Sequence, residues 1–180
     1  MSLIVLVGIS GVGKSTFLDI VSKKVDFHHF VASKIIRDEL VRQGEGDLSS
    51  EELRLGAILD NQRLLANGFL HEAAGTTLPI ILDGHVLIDG KDGIVPIPAE
   101  TFRRIGAKHM VFLQDEPDRI RLRRSRDEIR SRPARTVEQL EDQQDYAIKT
   151  AAVICRSLSI DMLLLTPAMP EVLERLLHMS

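Results

Sequence analysis

The run Gly8-Ile9-Ser10-Gly11-Val12-Gly13-Lys14-Ser15-Thr16 has the spacing G-x-x-x-x-G-K-[ST], and its residue types suit a polyphosphate. Glycines at 8, 11 and 13 let the chain wrap closely enough for backbone N–H groups to point inward, and the helix that follows adds the partial positive charge of its N-terminus. Lys14 then reaches the β and γ oxygens of a nucleoside triphosphate while Ser15 offers a hydroxyl to Mg2+. Gly8, Ser10, Gly11, Val12, Gly13, Lys14, Ser15 and Thr16 together are the expected phosphate cradle.

A carboxylate near that metal comes from a second run. Leu78-Pro-Ile-Ile-Leu-Asp83 is apolar and ends in an acid, the composition of a buried strand that delivers an aspartate beside the nucleotide, so Asp83 joins Ser15 as a metal candidate. The plainer alternative is an aspartate that closes the strand and opens a turn with Gly84. His85, two positions on, points to the same side of an extended segment as Asp83, where it either touches substrate or supports the turn.

Arginines form the third signal. Arg119, Arg121, Arg123, Arg124, Arg126, Arg130, Arg132 and Arg135 crowd into one window with only Asp127 and Glu128 as acids, so it carries +6 while the rest of the chain carries −9 of a total of −3. Phosphoryl transfer spreads negative charge over the equatorial oxygens, which enzymes meet with Arg and Lys clamps. Arg119, Arg123, Arg126 and Arg130 fall on one helical face, and Arg126, Arg130 and Arg132 are the candidates for a lid over the phosphates. The alternative is a solvated face paired with Asp118, Asp127 and Glu128. No aromatic residue lies within the window to stack on bases, so a nucleic-acid partner is not expected.

The elements that position these groups alternate between short branched apolar runs and longer helix-compatible stretches, the pattern of parallel strands covered on both faces by crossover helices. The expected fold is α/β, a three-layer α/β/α arrangement with a five-stranded, mostly parallel sheet. Strands are predicted at 3–7, 27–31, 78–82, 109–113 and 160–165, and helices near 14–24, 33–43, 50–73, 98–105, 116–130, 137–157 and 168–178. Gly90 and Gly93 flank a polar centre and predict a hairpin over 86–95. Ser49 or Ser50 is the expected N-cap of one helix and Thr136 of another.

At 180 residues, 44% hydrophobic and 27% charged, the chain can bury one substantial core, and without repeats or low-complexity linkers residues 1–180 are expected to form one domain. The lone Cys155 excludes an intrachain disulfide and reads as a core residue. His28 and His29 lack partners at metal-ligand spacing and read as the polar end of a strand. The apolar runs are too short to span a membrane, and the opening lacks the basic and long apolar regions of a secretory signal, so a cytoplasmic protein is expected.

In their order, these parts resemble a nucleoside monophosphate kinase, and within that group the archaeal-type adenylate kinases. The resemblance rests on the loop at 8–16, on Ser49-Ser-Glu-Glu-Leu-Arg54 leading into a long helix, on Ile81-Leu-Asp83-Gly-His85-Val followed by the hairpin and Pro96-Ile-Pro98, and on Arg123-Arg-Ser-Arg126-Asp127-Glu-Ile-Arg130-Ser-Arg132. That last segment is similar to the short R-x-x-R-D-x-x-R-x-R lid of those enzymes.

The resemblance implies a P-loop kinase with ATP as donor, Mg2+ as cofactor and a nucleoside monophosphate, AMP favoured, as acceptor: ATP + AMP gives 2 ADP. It implies that Lys14, Arg126, Arg130 and Arg132 act on the transferring phosphoryl group and that an arm over about 33–74 holds the acceptor, with a lid over about 123–135. Ala32-Ser33-Lys34-Ile-Ile-Arg37 is similar to the T-G-D-x-x-R acceptor helix, departing from it at Ala32, Ser33 and Lys34, and puts Arg37 on the monophosphate; Arg54 is the other candidate. Archaeal members form trimers, so a homo-oligomer is compatible. Two other functions fit the same residues: a small-molecule kinase with Asp83 as base toward a hydroxyl, and a nucleotide-regulated assembly ATPase.

Overall fold

The computed structural model describes residues 2–44, 58–90, 93–127 and 134–179. The strands among the described residues are β1 (Leu3–Val7), β2 (His28–Val31), β3 (Ile80–Asp83), β4 (Leu87–Gly90), β5 (Gly93–Pro96), β6 (His109–Leu113) and β7 (Asp161–Leu165). The helices among the described residues are α1 (Lys14–Val21), α2 (Ala32–Arg42), α3 (Ile58–Glu72), α4 (Ala99–Arg104), α5 (Pro117–Arg126), α6 (Val137–Leu158) and α7 (Pro170–His178). None of these helices is long and apolar enough to cross a membrane.

Five strands form one sheet in the order β2-β3-β1-β6-β7, with every pair parallel. Apolar residues line both faces of the centre, and all five residues of β1 are buried, which is why that strand reads as an unbroken Leu-Ile-Val-Leu-Val run rather than an alternation. Ile4, Val5, Leu6, Ile80, Ile81, Met110, Val111 and Phe112 are fully closed to solvent. Chain order moves from β1 outward to β2 on one side and later returns to place β6 on the other. The crevice beyond the C-terminal end of β1 is therefore a switch point, where open α/β sheets bind ligands.

The strand and helix boundaries shift from their expected positions for local reasons. Pro79 has no N–H to give to a ladder, so β3 begins at Ile80, whose N–H reaches Ser2 O at 3.0 Å, while Pro79 O accepts from His28 N at 2.9 Å. Proline at the first turn sets the starts of α5 and α7. α5 stops at Arg126 because Asp127 turns extended, φ −88° and ψ 94°. The 50–57 part of the expected long helix, with Ser49 and Ser50 before it, lies outside the described residues. β4 and β5 pair antiparallel from Leu87↔Pro96 to Gly90↔Gly93, as the hairpin expectation had it. Thr136 caps α6 reciprocally with Gln139: Thr136 Oγ1 accepts from Gln139 N at 3.2 Å, and Thr136 N donates to Gln139 Oε1 at 3.0 Å.

Candidate active site

Chain direction reverses immediately after β1. At Gly8, φ is 156° and a Cβ would stand 2.5 Å from Leu113 O at the end of β6, so no side chain fits between the loop and its neighbouring strand. Val12 N donates to Ile9 O at 3.2 Å, and Phe17 N to Gly13 O at 3.0 Å; the first tightens the loop, and the second starts α1. Lys14 is the first residue of that helix yet only 8% exposed, because its ammonium folds back to donate to Gly8 O at 3.2 Å. Ser15 and Thr16 are exposed on the same helical turn.

Sheet register brings the carboxylate in. Leu6 on β1 faces Asp83 on β3, and Gly84 N donates to Leu6 O at 3.0 Å, so β3 ends beside the phosphate loop. Asp83 Oδ1 lies 3.6 Å from Lys14 Nζ, and its Oδ2 lies 3.9 Å from His29 Nε2. His85 Nδ1 is 3.0 Å from Gly8 O. Burial by itself would raise the Asp83 carboxyl, but the Lys14 ammonium and the nearby His29 and His85 rings together outweigh it and hold the group below its ordinary value. Asp83 is thus a largely buried, ionised carboxylate at the mouth of the loop.

The arginine window divides into separate tasks. Arg123 Nε donates to Gly11 O at 2.8 Å and its Nη2 to Val12 O at 3.1 Å. Arg124 Nε donates to Ser10 O at 2.8 Å. These two grip the outer carbonyls of the loop. Arg121 pairs with the exposed Asp118 at 3.9 Å, an ion pair of the solvated face of the alternative reading, whereas Arg119 reaches the buried Asp115 at 3.7 Å. Arg135 spans to the hairpin, its Nη2 3.1 Å from both carboxylate oxygens of Asp89. Arg126 is exposed at the end of α5, and Arg130 and Arg132 lie outside the described residues.

On the acceptor side, Arg37 is half-buried in α2, and Lys34 pairs with Asp38 at 2.6 Å along the same helix. Arg54 lies outside the described residues. Sequence reasoning singled out Gly8, Lys14, Asp83 and His85, and the fold brings all four together. It missed His29 and the loop-gripping role of Arg123 and Arg124. His29 meets Asp83 only because β2 pairs with β3, a long-range fact with no local signature. The arginine pair did have a signal: two consecutive arginines close to the end of the helix that follows β6, the strand next to the phosphate loop.

The donor set suits Mg2+. Among the described residues no three His, Cys, Asp or Glu side chains gather as an all-protein metal cage. One ionised carboxylate and one exposed hydroxyl at a phosphate loop match a cation that keeps its waters and takes substrate phosphates as its other ligands.

Against known proteins, the profile of the AAA domain family matches residues 7–141. The chain belongs to the AAA domain family. This AAA domain chain is 28% identical to the adenylate kinase of Thermoplasma acidophilum over 144 residues, 78% of this chain and 76% of that one. It is also 28% identical to the adenylate kinase of Pyrococcus abyssi over 166 residues, 86% of this chain and 85% of that one. Among solved structures, a shikimate kinase from Bacteroides thetaiotaomicron superposes with a TM-score of 0.51 at 21% identity, covering 90% of this chain and 86% of that one. A sugar kinase from Janibacter sp. HTCC2649 gives a TM-score of 0.55 at 18% identity, covering 97% and 91%. These likenesses bear out the expected P-loop kinase fold and the resemblance to archaeal-type adenylate kinases, and they make this AAA domain chain a phosphotransferase.

Proposed function

We propose that the chain is a cytoplasmic, ATP-dependent nucleoside monophosphate kinase that acts best on AMP, converting ATP and AMP into two ADP. The observation that carries this reading is the likeness to adenylate kinases over most of the chain, joined to an Asp83 carboxylate 3.6 Å from Lys14 Nζ beside the phosphate loop. A phosphate acceptor, ionised near neutral pH, needs no base. The likeness to adenylate kinases over most of the chain supports the acceptor class.

In this reading an oxygen of the acceptor phosphate attacks the donor γ-phosphorus, and the bond to the bridging β,γ-oxygen breaks to release ADP. Lys14 neutralises charge on the β and γ oxygens, and the loop N–H groups hold the donor in line. Ser15 and Asp83 would hold Mg2+, which supplies further charge neutralisation of the donor oxygens when bound. Arg37 and Arg54 serve the acceptor phosphate, and His85 braces the loop through Gly8 O. Arg126, Arg130 and Arg132 close over the transferring group and exclude water.

A coupled assay with ATP and a panel of AMP, CMP, UMP, GMP and the deoxynucleoside monophosphates tests the reading. Turnover should be fastest with AMP. No turnover with any of them would overturn it; transfer to a sugar or metabolite hydroxyl would assign a small-molecule kinase, and acceptor-independent hydrolysis stimulated by a partner an assembly ATPase.

A further inference from the structure

The link between β6 and α5 contains a buried acid that neither the phosphate loop nor the lid explains. The Asp115 side chain is 6% exposed, and its Oδ2 takes Arg123 Nη2 at 2.6 Å. Its other oxygen accepts from Glu116 N at 2.9 Å. Gln144, buried on α6, then fixes the Asp115 backbone from both sides: Asp115 N donates to Gln144 Oε1 at 3.2 Å, and Gln144 Nε2 donates to Asp115 O at 3.1 Å. A carboxamide that both accepts and donates at one residue leaves that residue a single placement. Gln143, equally buried, accepts from Arg124 Nη2 at 3.4 Å through Oε1.

The consequence falls on the loop. In a planar peptide unit the C=O and the following N–H point opposite ways, so the Ser10 and Val12 carbonyls held outward turn the Gly11 and Gly13 N–H groups inward, while Val12 N is held within the loop by Ile9 O. Arg123 holds the carbonyls of Gly11 and Val12, and Arg124 holds that of Ser10. A guanidinium on a flexible stem stays in such a geometry only if its remaining N–H groups are also anchored.

We propose that Asp115, locked in place by Gln144, is a positioning residue that holds the Arg123 fork on the outer carbonyls of the phosphate loop, so that the Gly13 N–H that follows the Val12 carbonyl faces the donor phosphates before ATP arrives. The inference rests on the donor half of the proposed function and is independent of the acceptor.

Isothermal titration of Mg-ATP into the intact chain tests it, with Gln144→Leu, Arg123→Lys and the double variant. Each single change should raise the ATP Kd by about two- to tenfold, the equivalent of one hydrogen bond. Arg123→Lys keeps the charge and half-exposed site but loses the fork, so it reads the same path without disturbing the core. The double variant should bind no more weakly than the weaker single, to within about twofold, and the Kd for AMP should hold within about twofold in all three. Multiplying single losses in the double variant, equal loss of ATP and AMP affinity, or an unchanged ATP Kd in Gln144→Leu with only a lowered Tm would each overturn the inference. A wild-type chain that binds no ATP would instead overturn the donor reading itself.

Discussion

Gly11→Ala tests the arginine grip through stability, apart from activity. Gly11 has φ +85°, and a Cβ there would stand 2.8 Å from Arg124 Cγ and 3.3 Å from its Nε. A non-glycine residue in that region costs about 1–3 kcal/mol in backbone strain. The methyl group must also push the Arg124 stem aside, breaking the 2.8 Å bond to Ser10 O, and a hydrogen bond to a charged group contributes about 1.5–3 kcal/mol. Gly11→Ala should therefore destabilise by about 2.5–6 kcal/mol in urea unfolding, and Arg124→Ala by about 1.5–3 kcal/mol. With Arg124 already removed, Gly11→Ala should cost only the strain, giving a coupling of about 1.5–3 kcal/mol in the double-mutant cycle. Gly13→Ala is the control. Its φ is +104°, but its Cβ would meet only Arg123 Cζ and Nε, at an ordinary 3.9 and 4.0 Å, so its effect should add to that of Arg124→Ala within about 0.5 kcal/mol. Additive losses for Gly11 and Arg124 would refute the grip.

Asp83 carries the acid limb of stability: because its folded value lies below the ordinary 3.8, its contribution is complete above that pH and is lost as pH falls through the lowered value. Unfolding measured from about pH 6 down to about pH 2 should show wild type and Asp83→Asn converging in acid, and a gap that widens on acidification would contradict the assigned direction. Cys155 is buried on α6, and burial, then the nearby Asp161, pushes its thiol up to about 11. Ellman's reagent at about pH 8 should leave it unlabelled in the native chain, where the thiolate fraction is about 10⁻³, and label it fully in denaturant; rapid native labelling would refute its core placement. Thr136→Ala removes the Oγ1 that accepts from Gln139 N in the α6 cap and should cost about 1 kcal/mol, a fall in Tm of about 2–4 °C by differential scanning calorimetry.

What the sequence made legible was what depends on neighbours along the chain. The phosphate loop is a contiguous signal, with its glycines, Lys14 and following helix in fixed spacing. Asp83 showed as the acid that ends an apolar run, and the hairpin as two glycines around a polar turn. What stayed hidden depends on strand order and on how helices end. His29 looked like the polar end of a strand because nothing local says that β2 lies against β3. The helical-face reading placed Arg119, Arg123, Arg126 and Arg130 on one stripe, yet the loop is gripped by the consecutive pair Arg123 and Arg124. Near a helix terminus, side chains about 100° apart can close on one small loop from two directions. Gln143 and Gln144 gave no signal, since a buried glutamine reads like any polar residue on an amphipathic helix until its partner across the fold is known.

The central claim is transfer of the ATP γ-phosphoryl group to a nucleoside monophosphate, and product stoichiometry tests it most directly. Phosphorus NMR of the chain with Mg-ATP and AMP should show two ADP formed for each ATP consumed, no inorganic phosphate, and no reaction when AMP is omitted. One ADP and one inorganic phosphate per ATP, formed at the same rate with or without AMP, would contradict it.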